Sequence, residues 1–251
     1  MTTGSDVGQR SCIIIGPGRA GQSFSIALER IGWTVVEFWG RHDDISTVPD
    51  GVDLVLLTVS DEAIASVAAR LGASAAVVAH VSGVCDLDVL GPHTNVGSLH
   101  PLMSLPDAEI GAARLLDACT FAVDGDSLVK RLVDELGGNA ISIPASQRAL
   151  YHATACIAAN HLVALCDQIE HLAAQVGVPA EAYWKLMTTT FDNVIAKGAQ
   201  AALTGPAARG DWETVKGHIA SLASADQELY LSLSKRAATV AGQSWPKDLV
   251  P

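Results

Sequence analysis

The sequence predicts an α/β protein: a doubly wound parallel sheet in its N-terminal part, followed by an all-helical C-terminal part. Three observations carry this reading. Short β-branched runs alternate with helix-periodic stretches up to about Ile143, the first run is followed at once by glycines, and strand signals cease at Pro144. Strands alternating with helices at such spacing pair in parallel through right-handed crossovers.

Taken in order, Cys12–Ile15 is a compact apolar run, as a strand buried on both faces requires. Ser23 to Ile31 carries helix-spaced apolar residues, and Gly32 supplies a stop. Thr34–Phe38, Asp53–Val59, Ala76–Val81, Thr120–Val123 and Ala140–Ile143 read as further strands, with Glu62–Leu71 and Ser127–Leu136 as helices. Ser146–Val176 contains neither Pro nor Gly and is rich in Ala and Leu, which predicts one long helix. Helices are also expected over Pro179–Lys197, Asp211–Ser221 and Ser224–Ala241, the last capped by Ser224. The domain boundary is placed near residue 145, giving units 1–145 and 146–251, and the final SWPKDLVP is expected to be a loose tail.

About half of the 251 residues are apolar, enough for a sizeable core. The formal charge of −11 argues against nucleic-acid binding, which needs Lys and Arg on phosphates. No stretch holds the ~20 uninterrupted apolar residues of a membrane span, and MTTGSDVGQR lacks a secretory pattern. Five cysteines without C-x-x-C spacing speak against disulfides and structural zinc, and suit a reducing cytoplasm. No metal site is expected.

Gly16-Pro17-Gly18-Arg19-Ala20-Gly21 fits G-x-G-x-x-G and lies between the first strand and the first helix. In that position the glycines allow a tight turn, close approach of a pyrophosphate, and helix-on-strand packing, while the helix N-terminus faces the anion. This is the fingerprint of a Rossmann dinucleotide-binding domain. Arg41 stands twenty residues after Gly21, where NAD-specific sites place an acid. An arginine there suits a 2′-phosphate, so NADP is favoured and NAD stays possible.

Further motifs follow in order: DLVLLTVSD at Asp53–Asp61, HVSGV at His80–Val84, GSLHPLMSL at Gly97–Leu105, ALYHATACIAANHL at Ala149–Leu162 and ALTGPAARGD at Ala202–Asp211. Together with the glycine loop they resemble a bacterial family of Rossmann-like oxidoreductases with a helical C-terminal domain of unknown function. That family is similar to pyrroline-5-carboxylate reductase, ketopantoate reductase and the β-hydroxyacid dehydrogenases. The resemblance implies a 6-phosphogluconate-dehydrogenase-like architecture, hydride transfer, a helical domain that closes over the nicotinamide, and a homodimer.

In open α/β sheets ligands bind beyond the carboxyl ends of the strands. Val59, Ser60 and Ser82 fall at such ends; Ser60 suits helix capping as well as cofactor contact, and Ser82-Gly83 is also an ordinary turn. His100, held extended by Pro101, is a candidate ligand, whereas His80 reads as a satisfied core histidine. His152, Cys156 and Asn160 recur every four residues, a step of only about 40°, and so share one side of the long helix. The similar dehydrogenases carry a catalytic Lys and a nearby Asn on this helix. Asn160 matches, the lysine is absent, and His152 is the nearest substitute. The roles expected are His152 as general acid, Asn160 as orienting donor and His100 as second donor, with Tyr151 able to contribute a hydroxyl. Asn193, Thr204 and Arg209 are candidate substrate ligands; Arg209 suits a carboxylate, or equally an ion pair with Asp211. The reading is an NAD(P)H-linked oxidoreductase for a small keto acid or imine, ketopantoate-like by similarity. A dinucleotide-binding sensor without turnover is the alternative.

Overall fold

The computed structural model describes residues 9–247 and Leu249. The expectation about an export signal rests on Met1–Arg10, of which residues 1–8 lie outside the described residues, as do three positions of the C-terminal tail. The chain divides into two compact units, Met1–Asn160 and His161–Pro251.

The first unit holds a seven-stranded sheet: β1 (Ser11–Ile15), β2 (Thr34–Trp39), β3 (Leu54–Leu57), β4 (Val77–His80), β5 (Val96–Pro101), β6 (Thr120–Gly125) and β7 (Asn139–Ile141). Their order is β2-β1-β3-β4-β5-β6-β7, parallel throughout except that β6 runs antiparallel to β5. β1 and β3 are buried on both faces because side chains alternate between two cores. Cys12 and Ile14 face α1 (Arg19–Arg30), α3 (Ala108–Leu115) and α4 (Ser127–Glu135); Ile13 and Ile15 face α2 (Asp61–Arg70) and the segment Ile45–Val52. The expected doubly wound arrangement is therefore present. Burial pushes the Cys12 thiol up to about 12 and that of Cys119 to about 11, as suits small core residues.

Among the strands and α-helices of the first unit, β5 and α3 escaped the sequence reading. The β5 segment VGSLHP lacks the β-branched run of its neighbours. A Cβ on Gly97 would lie 2.7 Å from Val129 of α4, so that glycine admits the helix. In α3 the periodicity is broken by Gly111, which lets α3 cross α1 with Ser23 against its backbone.

The expected long helix is interrupted. It comprises a short turn at Ala145–Gln147, α5 (Arg148–Cys156), a wide π turn over Ile157–His161, and α6 (Leu162–Gln175). By length and composition alone, the run Ala145–Gln175 could cross a membrane; its most apolar window has a mean hydropathy of 1.3 and none of that window is buried. The run also contains Arg148, His152, Asn160 and His161.

The second unit continues with α7 (Ala180–Lys197), α8 (Ala199–Ala202), α9 (Pro206–Arg209), α10 (Trp212–Ser221) and α11 (Ser224–Val240). Its core gathers Ala207, Val215 and Leu249 with Trp212, Tyr230 and Trp245. Trp245 Nε1 donates to the Leu249 carbonyl at 3.0 Å, so the described part of the tail is packed rather than loose. Asp211 caps α10, accepting from Thr214 N and Oγ1; these bonds lower its pKa. Ser224 is the first residue of α11, and the cap position falls on Ala223, whose side chain makes no capping bond.

Candidate functional site

Three residues turn the chain from β1 into α1. Gly16 takes φ +117°, and a Cβ there would stand 2.8 Å from the Thr58 carbonyl. Gly21, buried in the first turns of α1, lies against the Gly16 carbonyl, and a side chain would strike it and Thr58 Oγ1. Thr58 Oγ1 in turn lies 2.8 Å from that carbonyl and 3.1 Å from the Ile15 carbonyl. Gly18 differs: no atom lies within 4 Å of where its Cβ would be. Two glycines are thus demanded by packing, and the third keeps space clear in front of the helix.

That space is a crevice of about 520 Å³ lined by Gly18, Arg19, Ala20, Thr58, Val59 and Ser60, with Val81, His100 and Met103 further along. It opens beyond the carboxyl ends of β1 and β3, where the strand order reverses. No side chain caps α1 and its first turn holds no acid, so its free N–H groups and positive dipole end are left for an anion. The pyrophosphate of a dinucleotide fits these residues. Arg41 is exposed just past β2, whose last residue, Trp39, accepts from Gly16 N at 2.9 Å. The neighbouring Asp43 carboxylate accepts from Gly40 N at 2.6 Å.

His100, Pro101 and Met103 also line a second cavity of about 540 Å³, together with Tyr151, His152, Cys156 and Asn160. His100 therefore stands where the two cavities meet. The Tyr151 hydroxyl is 2.8 Å from His100 Nδ1, and the rings of His100 and His152 lie edge to face at 5.9 Å. The point where a Gly83 Cβ would sit is 2.9 Å from His100 Nε2 and 2.7 Å from His152 Nδ1. Only glycine lets both imidazoles settle there. His152 Nδ1 is buried with no hydrogen-bond partner among the described residues, while its Nε2 is 3.7 Å from Cys156 Sγ.

Burial holds the His100 imidazole down at about 4, with His152 and Arg148 pushing the same way. It is neutral across the physiological range. Burial also raises the Tyr151 pKa, so the phenol keeps its proton. Which partner donates in this bond follows the His100 tautomer; with the hydroxyl as donor, the proton of the neutral ring sits on Nε2, the nitrogen on the Gly83 side.

The structure brings His100, His152 and Asn160 around one cavity, and Gly18, Arg19, Ala20, Val59 and Ser60 around the crevice. Gly16 and Gly21 are packed beneath it. Ser82 is buried, its Oγ accepting from Val84 N and Cys85 N, so it shapes the turn at Gly83. Ser60 occupies the cap position of α2 without a side-chain bond. Asn193, Thr204 and Arg209 are exposed residues of the second unit, and Arg209 makes no ion pair with Asp211 among the described residues. His80 is fully buried; its Nδ1 accepts from Ser82 N at 3.2 Å, but Nε2 has no partner among the described residues. No group of three or more His, Cys, Asp or Glu among the described residues could hold a metal.

Sequence reasoning overlooked Thr58 and Arg148. Arg148 opens α5, where a cation opposes the helix dipole, and that misplacement was the available signal.

Residues 119–237 match the model of a family described as a domain of unknown function, DUF2520. That match covers just under half of the chain and begins beside β6. No curated protein matches. Among solved structures, a Bacteroides fragilis protein provisionally described as an NADP oxidoreductase is 20% identical, with a TM-score of 0.79 over 92% of this chain and 98% of that one. Protein TM1727 of Thermotoga maritima is 23% identical, with a TM-score of 0.71 over 92% and 98%. Plasmodium falciparum pyrroline carboxylate reductase, solved with NADP bound, is 9% identical, with a TM-score of 0.58 over 93% and 100%. At these identities the likeness is one of fold: a Rossmann domain followed by a helical domain.

The glycines separate in a mutational test. Gly18→Ala should change stability by less than about 1 kcal/mol and weaken dinucleotide binding at least tenfold, whereas Gly21→Ala should destabilise by roughly 1–3 kcal/mol. Urea unfolding with a nucleotide titration checks both; equal stability losses would contradict the division of roles. A second expectation concerns pH. Burial holds His80 at about 4, against 6.5 when free. Below 6.5 the unfolded chain binds the proton first, so stability present above that pH is lost as pH falls toward 4. For His80 alone the loss is roughly 3 kcal/mol, and His100 acts in the same sense. Unfolding curves between pH 7 and 4 measure it, and replacing His80 by Asn should flatten the decline.

Proposed function

We propose that this protein is an NAD(P)H-dependent oxidoreductase that transfers hydride between a nicotinamide cofactor, NADP(H) in preference, and a small keto acid or imine, ketopantoate being one such compound. The observation that carries the proposal is the position of His100. It closes the far end of the glycine-lined crevice and opens the cavity where Tyr151, His152, Cys156 and Asn160 converge.

The nicotinamide supplies the hydride. What remains for the protein is to bind, to orient and to provide a proton. The N-terminus of α1 and the open face of Gly18 bind the pyrophosphate, and Arg41 meets a 2′-phosphate. His100 Nε2–H and His152 Nδ1 meet over Gly83, where they can donate to the oxygen or nitrogen of the reducible bond. His152 acts as the general acid, with Tyr151 fixing the His100 tautomer. Asn160 orients the substrate from the same cavity wall. Asn193, Thr204 and Arg209 are proposed as further substrate ligands, Arg209 for a carboxylate.

The protein is further proposed to work as a cytoplasmic homodimer. The apolar side chains of Leu150, Ile157 and Val163 on the long helical run, and of Leu186, Phe191 and Ile195 on α7, are all at least 60% exposed. Large apolar side chains this exposed support burial against a second copy. Analytical ultracentrifugation at micromolar concentration should give a dimer, and a monomer would remove this part of the reading.

The cofactor assignment is tested by fluorescence titration with NADPH and NADH, followed by NADPH consumption with a panel of keto acids and cyclic imines. Arg41→Ala should weaken NADPH about tenfold to hundredfold and leave NADH within about twofold. Tight binding without turnover on the panel would favour a sensor, and no binding of either nucleotide would end the oxidoreductase reading.

A further inference from the structure

The chemistry proposed above requires three separate pieces of backbone to meet: the loop of Gly83, the strand of His100 and the helix of Tyr151 and His152. One side chain touches all three. Arg148 is 4% exposed and opens α5. Its Nη1 donates to the Cys85 carbonyl at 3.2 Å, two residues beyond Gly83. Its Nη2 donates to Ser98 Oγ at 3.3 Å and to Asp124 Oδ2 at 3.0 Å, and Nε is 3.4 Å from Asp86 Oδ1 without hydrogen-bond alignment.

Register explains why this grip reaches the site. Ser98 and Asp124 are directly paired across the antiparallel β5–β6 ladder, and His100 lies two residues beyond Ser98 on the same face. Two strand residues span about 6.6 Å, and the turn from Arg148 to Tyr151 and His152 advances about 5 Å. The helix therefore lies along the strand with two points matched: Arg148 at Ser98, and Tyr151 with His152 at His100.

Resting on the oxidoreductase reading, we propose that Arg148 is a positioning residue that sets the depth and spacing of the His100–His152 pair over Gly83. A planar fork with fixed donors can hold three elements together, whereas a lysine, a point charge, can satisfy one or two.

The test uses Arg148→Lys, which keeps the charge, and Asp124→Asn, which keeps the arginine but weakens its hold. Imidazole NMR titration of the full-length protein follows His100, assigned by its absence in His100→Asn. In both variants the His100 titration midpoint should rise from about 4 by at least one pH unit as the pocket loosens, while NADPH affinity stays within about twofold. Once a substrate is in hand, kcat should fall at least tenfold with little change in KM. A lowered melting temperature with an unchanged His100 titration in both variants would overturn the proposal by making Arg148 a structural tie alone. Should wild-type protein bind no nucleotide, the oxidoreductase reading fails, yet the titration still decides whether Arg148 positions the histidines.

Discussion

The carbonyl of Gly16 is pressed from two sides, by the Thr58 hydroxyl and by the bare α-carbon of Gly21. This contact brings the end of β1, the end of β3 and the start of α1 to one spot. A side chain at Gly21 would hold the helix away from the sheet, and the crevice at the strand reversal would lose its floor. Everything that the crevice can do with an anion follows from that backbone approach. The uncapped amides of α1 point into it, Gly18 leaves room before them, and the end of β2 hydrogen-bonds to Gly16 so that Arg41 follows close by.

A second constraint is electrostatic. His80, His100 and Arg148 are taken out of water to different degrees, and His100 of the three lines the second cavity. An arginine cannot shed its proton, so its charge is met by Asp124 and Asp86. The histidines can, and burial beside that charge keeps them neutral. The outcome is an uncharged imidazole at the junction of two cavities, able to donate a hydrogen bond through its one N–H while carrying no net charge. A neutral donor of this kind suits a carbonyl or imine more than an anion, which would draw a proton onto it.

The helical segments carry a different signature. Where the central strands β3 and β4 of the first unit are fully buried, α7 exposes nearly its whole length, including Leu186, Phe191 and Ile195. A helix with large apolar groups on water is under pressure to find a partner. The π turn at Ile157–His161 adds a residue within one turn and changes the phase of the helix after Cys156, yet Asn160 still lines the cavity with His152.

By itself the sequence determined the winding of the N-terminal sheet, the glycine loop, the helical character of everything past Pro144, and the polar face of His152, Cys156 and Asn160. These are local properties, written in periodicities of two and 3.6 and in residues that few backbones tolerate elsewhere. Tertiary structure decided the rest. β5 was hidden because Gly97, Ser98 and His100 answer to Val129, Arg148 and Tyr151, partners up to 51 residues away, and not to strand propensity. The antiparallel pairing of β5 with β6 set Ser98 opposite Asp124, which no pattern along the chain encodes. Arg148 reads locally as a cation at the wrong end of a helix, and becomes intelligible only when the loop after β4, β5 and β6 deliver its four partners to one buried point. Contacts between residues distant in sequence depend on register and crossing, and these are fixed only when the whole core packs.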